Sequence, residues 1–120
     1  MKRLIVAVAM LLFTAVMCGC GAGGASVPEV QPNGNTVELV IEASDFKFDQ
    51  AEYRVKAGDT VNVTFKNVQG LHGIDIQGYK IKLKNGETAT FVAAPGEYLI
   101  NCNIMCGPGH SGMRSKLIVE

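Results

Sequence analysis

This chain of 120 residues has no tryptophan, no long apolar run, no excess of basic charge and no helical periodicity. Its longest apolar run, Leu4 to Met17, falls short of the roughly twenty residues that a membrane-crossing helix needs. Formal net charge is +0, and without Lys2 and Arg3 nine basic residues face eleven acidic ones. No basic patch of the kind nucleic acid demands remains, so that class of partner is excluded. No window repeats apolar residues at helical spacing, which leaves strands as the main element. Histidine and cysteine are scarce at two and four residues, so their positions matter.

The beginning of the chain is organised differently from the rest. Lys2 and Arg3 precede the apolar run, and "CGCGAGGAS" with its small residues follows it. That order describes a secretory signal peptide over residues 1–19. Its end resembles a bacterial lipoprotein signal, in which a small residue precedes a cysteine that is cut and acylated. Gly19 before Cys20 fits better than Met17 before Cys18, although Met17 stands where leucine is usual. Cys20 is thus the expected lipid attachment site, and several acyl chains hold a protein to a membrane far more firmly than one. Residues 20–35, rich in glycine, proline and asparagine without periodicity, read as a flexible linker. The expected location is extracytoplasmic, on the bacterial cell membrane.

From Thr36 onward the pattern alternates. In "TVELVIEA" Val37, Leu39 and Ile41 share one face while Glu38 and Glu42 take the other. "TVNVTFKN" does the same with Val61, Val63 and Phe65, and "YKIKLK" with Ile81 and Leu83 among lysines. Period-two alternation with one polar face predicts half-buried strands, here expected in antiparallel sheets. Turn signals in "KAGDT", "VQG", "KNGET" and "APGEY" separate them. Residues 36–120 therefore form one all-β domain, a Greek-key β-sandwich or barrel of about seven to eight strands.

The chemistry is concentrated in one loop. "CNIMCGPGHSGM", residues 102–113, holds Cys102, Met105, Cys106, His110 and Met113 between the strand ending "LINC" and the last strand, "SKLIVE". Glycines and Pro108 rule out a regular helix there. An extended chain would hold the two cysteines about 13 Å apart, so the loop must curl to join them. The other histidine, His72, opens the alternation His72, Ile74, Ile76 and so points to the apolar side. Such a histidine is more often a core residue than a ligand; beside this loop it reads as a ligand. Met105 reads as loop packing.

Thiolate, imidazole and thioether are soft donors that favour copper over magnesium, calcium or manganese. A Cys2His2 zinc site and, outside the cytosol, a Cys102–Cys106 disulfide are the competing readings. Zinc has no use for Met113, whereas a weak axial methionine is typical of electron-transfer copper. A mononuclear blue site takes one cysteine, two histidines and a methionine; this chain has that set and one thiolate more. Two thiolates can bridge two copper ions, a core that spreads one electron over both metals.

The spacing Cys-x3-Cys-x3-His-x2-Met after an upstream histidine resembles that of cytochrome c oxidase subunit II and, less closely, the copper domain of nitrous oxide reductase. "LHGIDIQG", "PGEY" and "CNIMCGPGH" have near counterparts in short subunits II of the heme-copper oxidases. The resemblance covers residues 36–120. It implies a cupredoxin fold and a binuclear purple copper centre (CuA) with two ions. It further implies that Cys102 and Cys106 bridge both coppers, that His72 and Met113 complete one, and that His110 and the Ile104 backbone carbonyl complete the other.

Three differences stand beside that likeness. Oxidase subunits II normally carry one or two transmembrane helices; many place glutamate where Ile104 stands; and an aromatic near the site often receives the electron. Two functions follow as expectations. One is a membrane-tethered electron carrier working with a c-type cytochrome or an oxidase subunit I. The other is a copper-binding or copper-delivery protein with no role in turnover. No second constellation suggests a substrate-turnover site of the chain's own.

Overall fold

The computed structural model describes residues 27–120. The expected signal peptide, Cys20 and the first part of the expected linker lie outside the described residues. Asn33, within the expected linker, is held to the domain: its backbone N–H donates to the Gly58 carbonyl at 2.9 Å and its side-chain amide to Asp59 at 2.9 Å.

Nine strands follow, β1 (Thr36–Ser44), β2 (Lys47–Phe48), β3 (Glu52–Val55), β4 (Thr60–Asn67), β5 (Ile74–Ile76), β6 (Ile81–Leu83), β7 (Thr88–Val92), β8 (Gly96–Cys102) and β9 (Arg114–Val119). A 3-10 turn at His110–Gly112 is the one helical element among the described residues. One sheet runs β2-β1-β4-β7 and the other β3-β9-β8-β5-β6. This is the expected all-β sandwich, with one strand beyond the expected number.

The alternation sorts correctly into an inside and an outside. Ile41, Val61, Val63 and Phe65 from one sheet and Ile74, Ile76, Ile100 and Leu117 from the other are fully buried. Each such side chain contributes about 1.5–3 kcal/mol relative to exposure. The loop before β8 is closed by two tyrosines: Tyr98 donates to the Ala94 carbonyl at 2.9 Å, and the Ala94 N–H donates to the Tyr79 hydroxyl at 2.9 Å.

The expectation of purely antiparallel sheets needs correction. β1 pairs with β4 in parallel from Thr36↔Thr60 to Ala43↔Asn67, and β3 pairs with β9 in parallel. The chain leaves β1 and β2 for the opposite sheet at β3 before returning as β4, so it re-enters beside β1 in the same direction. Alternation reports which face is buried and is blind to strand direction.

Candidate metal centre

Strand register builds the site. In the β5–β8 pair Ile74 lies opposite Cys102 and Ile76 opposite Ile100. Residues two apart share a face, so His72, two residues ahead of Ile74 at the start of β5, comes beside Cys102 at the same end of the sheet. Asn103 fixes this edge, its N–H donating to the Gly73 carbonyl at 3.2 Å and its side chain to the Ile74 carbonyl at 3.0 Å. On the other side of β8, the Cys102 N–H donates to the Met113 carbonyl at 3.3 Å. Met113 is thereby carried inward, only 1% exposed.

Between these strands the loop curls as its composition requires. The N–H groups of His110, Gly112 and Met113 donate to the carbonyls of Gly107, Gly109 and His110 at 3.1–3.2 Å. The sulfurs of Cys102 and Cys106 end 3.6 Å apart, and both cysteines are free. Phe46 supports the curl from outside. A Cβ at Gly109 would stand 2.2 Å from Cγ of Phe46, so only glycine lets the backbone lie against that ring.

Each cysteine has its own imidazole. Nδ1 of His72 lies 3.9 Å from Sγ of Cys102, and Nδ1 of His110 lies 3.6 Å from Sγ of Cys106. The Cys102 thiol also donates to the Ile104 carbonyl at 3.2 Å. His72, Cys102 and Cys106 offer donor atoms all within 4.8 Å of one another. His110 reaches the group through Cys106. A depression of about 260 Å³ opens beside Cys102, His110 and Met113. Burial, then hydrogen bonding and charge from Cys102, push the Cys106 thiol above its ordinary range. Binding a metal there therefore releases protons.

All six positions singled out in the sequence thus come to one end of the sandwich. Met105 does not behave as expected. At 80% exposed it projects from the loop into solvent, because the curl that brings the two sulfurs inward turns this residue between them outward. Asp45 and Phe46 also border the site, unmarked in the sequence: Oδ1 of Asp45 lies 3.6 Å from Nε2 of His72, and the Phe46 ring lies against Gly107 and Gly109. They form the turn between β1 and β2, far from the loop in sequence, and no local pattern marks them as part of this site.

No protein-family model matches the chain. Over 100 residues it is 30% identical to cytochrome c oxidase subunit 2 of Thermus thermophilus, covering 79% of this chain and 73% of that protein. Over 97 residues it is 33% identical to a nitrous-oxide reductase of Cupriavidus necator, covering 73% of this chain but spanning only 15% of the enzyme. A chain in the structure of a heme-copper terminal oxidase dimer superposes with a TM-score of 0.62 at 27% identity, covering 82% of this chain and 74% of that one. Auracyanin A, a blue copper protein of Chloroflexus aurantiacus, superposes with a TM-score of 0.56 at 27% identity, covering 72% of this chain and all of its own.

Two sheets carrying a His/Cys/Cys cluster, with these relatives, define a copper-binding cupredoxin of the electron-transfer type. Auracyanin and the oxidase chain share its architecture. Within that class, the chain belongs to the cytochrome c oxidase subunit 2 family.

Proposed function

We propose that this protein is a membrane-tethered electron carrier whose site holds two copper ions between Cys102 and Cys106. One observation carries the reading: the second free thiol lies 3.6 Å from the first, and each has a separate imidazole Nδ1 facing it. A metal–thiolate bond of roughly 2.3 Å lets one ion touch two sulfurs only if these lie within about 4.6 Å. The donor set therefore fits ions shared by both sulfurs. Ile104 offers a carbonyl oxygen on one side and buried Met113 a thioether from the core side.

Copper at these sulfurs supplies a one-electron couple. The chain's own residues keep the change of charge cheap. His72, Cys102 and Met113 are buried, 1–5% exposed, which leaves little water to reorganise around them. Close-packed β5, β8 and β9 hold Cys102 and the flanks of His72 and Met113, and so limit how far these donors can move. Two apolar side chains sit next to ligands and face solvent: Leu71 before His72, 67% exposed, and Met105 before Cys106, 80% exposed. They give a redox partner a contact that sheds water close to the site. A c-type cytochrome and an oxidase subunit I are the partner classes we assign, with Cys20 as the lipid anchor outside the cytoplasm.

The likeness to auracyanin A favours a second reading, a mononuclear blue site, for which one thiolate with His72, His110 and Met113 suffices. Copper delivery is disfavoured, because release to an acceptor needs exposed donors and none of these is exposed: three are buried and three half-buried. Copper reconstitution of the purified full chain, with metal analysis and paramagnetic resonance, separates the readings. We expect two coppers per chain and one unpaired electron shared by two copper nuclei. A single copper with a blue-site spectrum, or zinc retained through purification, overturns the binuclear assignment.

A further inference from the structure

The turn between β1 and β2 reaches into the site with both of its residues. Ser44 pairs with Lys47, so the turn consists of Asp45 and Phe46 alone. Phe46 takes the left-handed backbone, φ 63°, that a two-residue hairpin loop commonly requires. Its ring lies against Gly107 and Gly109 of the ligand loop. Asp45 turns to the other side, where its Oδ1 lies 3.6 Å from Nε2 of His72.

That nitrogen is otherwise alone. His72 is 1% exposed, and its Nε2 has no hydrogen-bond partner. Nδ1 of the same ring faces the Cys102 sulfur. A neutral imidazole that gives one nitrogen to a metal keeps its proton on the other, which then needs an acceptor. A separation of 3.6 Å is longer than a hydrogen bond. The Asp45 side chain is 45% exposed, so it is free to swing the remaining distance. Gly70, with φ +80°, makes room for the approach: a Cβ there would stand 2.3 Å from Oδ1 of Asp45 and 2.9 Å from Nε2 of His72.

We propose that Asp45 is a positioning residue for the copper site, accepting the Nε2 proton of His72. The carboxylate fixes the tautomer that presents Nδ1 to the thiolates and strengthens the imidazole as a donor. The proposal rests on His72 being a ligand, which the two-copper and one-copper readings share. An imidazole made more basic favours oxidised copper and so lowers the reduction potential.

The test compares full-chain Asp45→Ala and Asp45→Asn with the wild type, each loaded with copper. Asn keeps an acceptor oxygen without the charge; Ala removes both. Three quantities are read: copper loss to a competing chelator, reduction potential, and the 15N and proton signals of His72 Nε2–H in the fully reduced, diamagnetic protein. We expect Asp45→Ala to lose copper roughly 10–100-fold more readily, as removal of an outer partner does. Its potential should rise and its Nε2–H signal shift. Asp45→Asn should recover most of the copper retention while keeping a raised potential. Thermal melts of the metal-free proteins identify a variant that fails to fold; Asp45→Asn, the nearer isostere, then decides alone. Wild-type potential and an unchanged Nε2–H signal in that variant overturn the proposal. A His72→Ala variant with the wild-type spectrum would instead remove the ligand reading beneath it.

Discussion

Cys102 and Cys106, four residues apart in the chain, bring their sulfurs to 3.6 Å, and each sulfur faces a different histidine. The two thiols are therefore equivalent in kind but not in surroundings: Cys102 is anchored in β8, whereas Cys106 sits in the loop.

The bridging reading makes a prediction for each cysteine variant. Both Cys102→Ser and Cys106→Ser should abolish a spectrum shared by two copper nuclei. Cys102→Ser leaves Cys106, His110, His72 and Met113, a mononuclear set, and should convert to a one-copper form. Copper stoichiometry and paramagnetic resonance on both variants check this. A two-copper spectrum surviving in Cys102→Ser would show that the bridging roles are misassigned.

Met113→Leu should behave differently from either. Met113 is fully buried, and leucine nearly conserves its volume, so the fold should lose less than about 1.5 kcal/mol. Axial ligands tune potential more than they hold metal. The variant should keep its copper and show a raised reduction potential, since a donor to oxidised copper is lost. Redox titration beside metal analysis measures both; complete loss of copper would exclude an axial role.

The contact between Phe46 and Gly109 is open to a double-mutant cycle. Gly109→Ala places a methyl 2.2 Å from the Phe46 ring and should cost about 1–3 kcal/mol as overpacking. Copper retention should fall with it, since His110 follows directly. Adding Phe46→Ala should recover part of that loss, a coupling typical of residues in contact. Strictly additive effects in thermal melts would mean the strain lies elsewhere.

Tyrosine burial predicts an alkaline limit to stability. Burial, more than any other cause, pushes the Tyr79 hydroxyl up to about 12, and burial followed by hydrogen bonding to Asp49 raises Tyr53 further. In the unfolded chain both ionise near about 10. A folded-state pKa above the unfolded one stabilises fully below pH about 10 and is lost as pH climbs through about 12. Tyrosinate absorbance and circular dichroism recorded against pH should therefore show these two groups ionising together with unfolding. Ionisation of Tyr53 and Tyr79 near pH 10 with the fold intact would contradict the burial.

Replacing Cys20 with Ala should move the protein from the membrane fraction of cells to the soluble fraction, or leave its precursor uncut. Mass spectrometry of the mature chain supplies the direct check. An unmodified N-terminus at another residue would rule out lipid attachment at Cys20.

How far the sequence could be read differed from element to element. The run from Cys102 to Met113 was legible because all its donors lie in one loop, and one loop joining adjacent strands has little freedom in where it puts them. His72 was legible through its alternation with Ile74 and Ile76, which placed it inward before any partner was known. The direction of β1 against β4 was not, since a half-buried strand alternates identically in parallel and antiparallel sheets. Met105 was misread for a related reason: its neighbours are ligands, but a tight curl turns intervening side chains outward.

The sequence by itself determined the donor types and their spacing, and the alternation that buries one face of each sheet, because these are properties of neighbours along the chain. The tertiary structure alone decided which ring nitrogen of His72 faces sulfur, that Asp45 stands behind that ring, and that Phe46 braces the glycines of the loop. Those contacts join residues about 27 to 63 positions apart. The first arises from the pairing of β5 with β8, the other two when the β1–β2 turn of one sheet closes over that end of the other, and neither leaves a local mark on the segments involved.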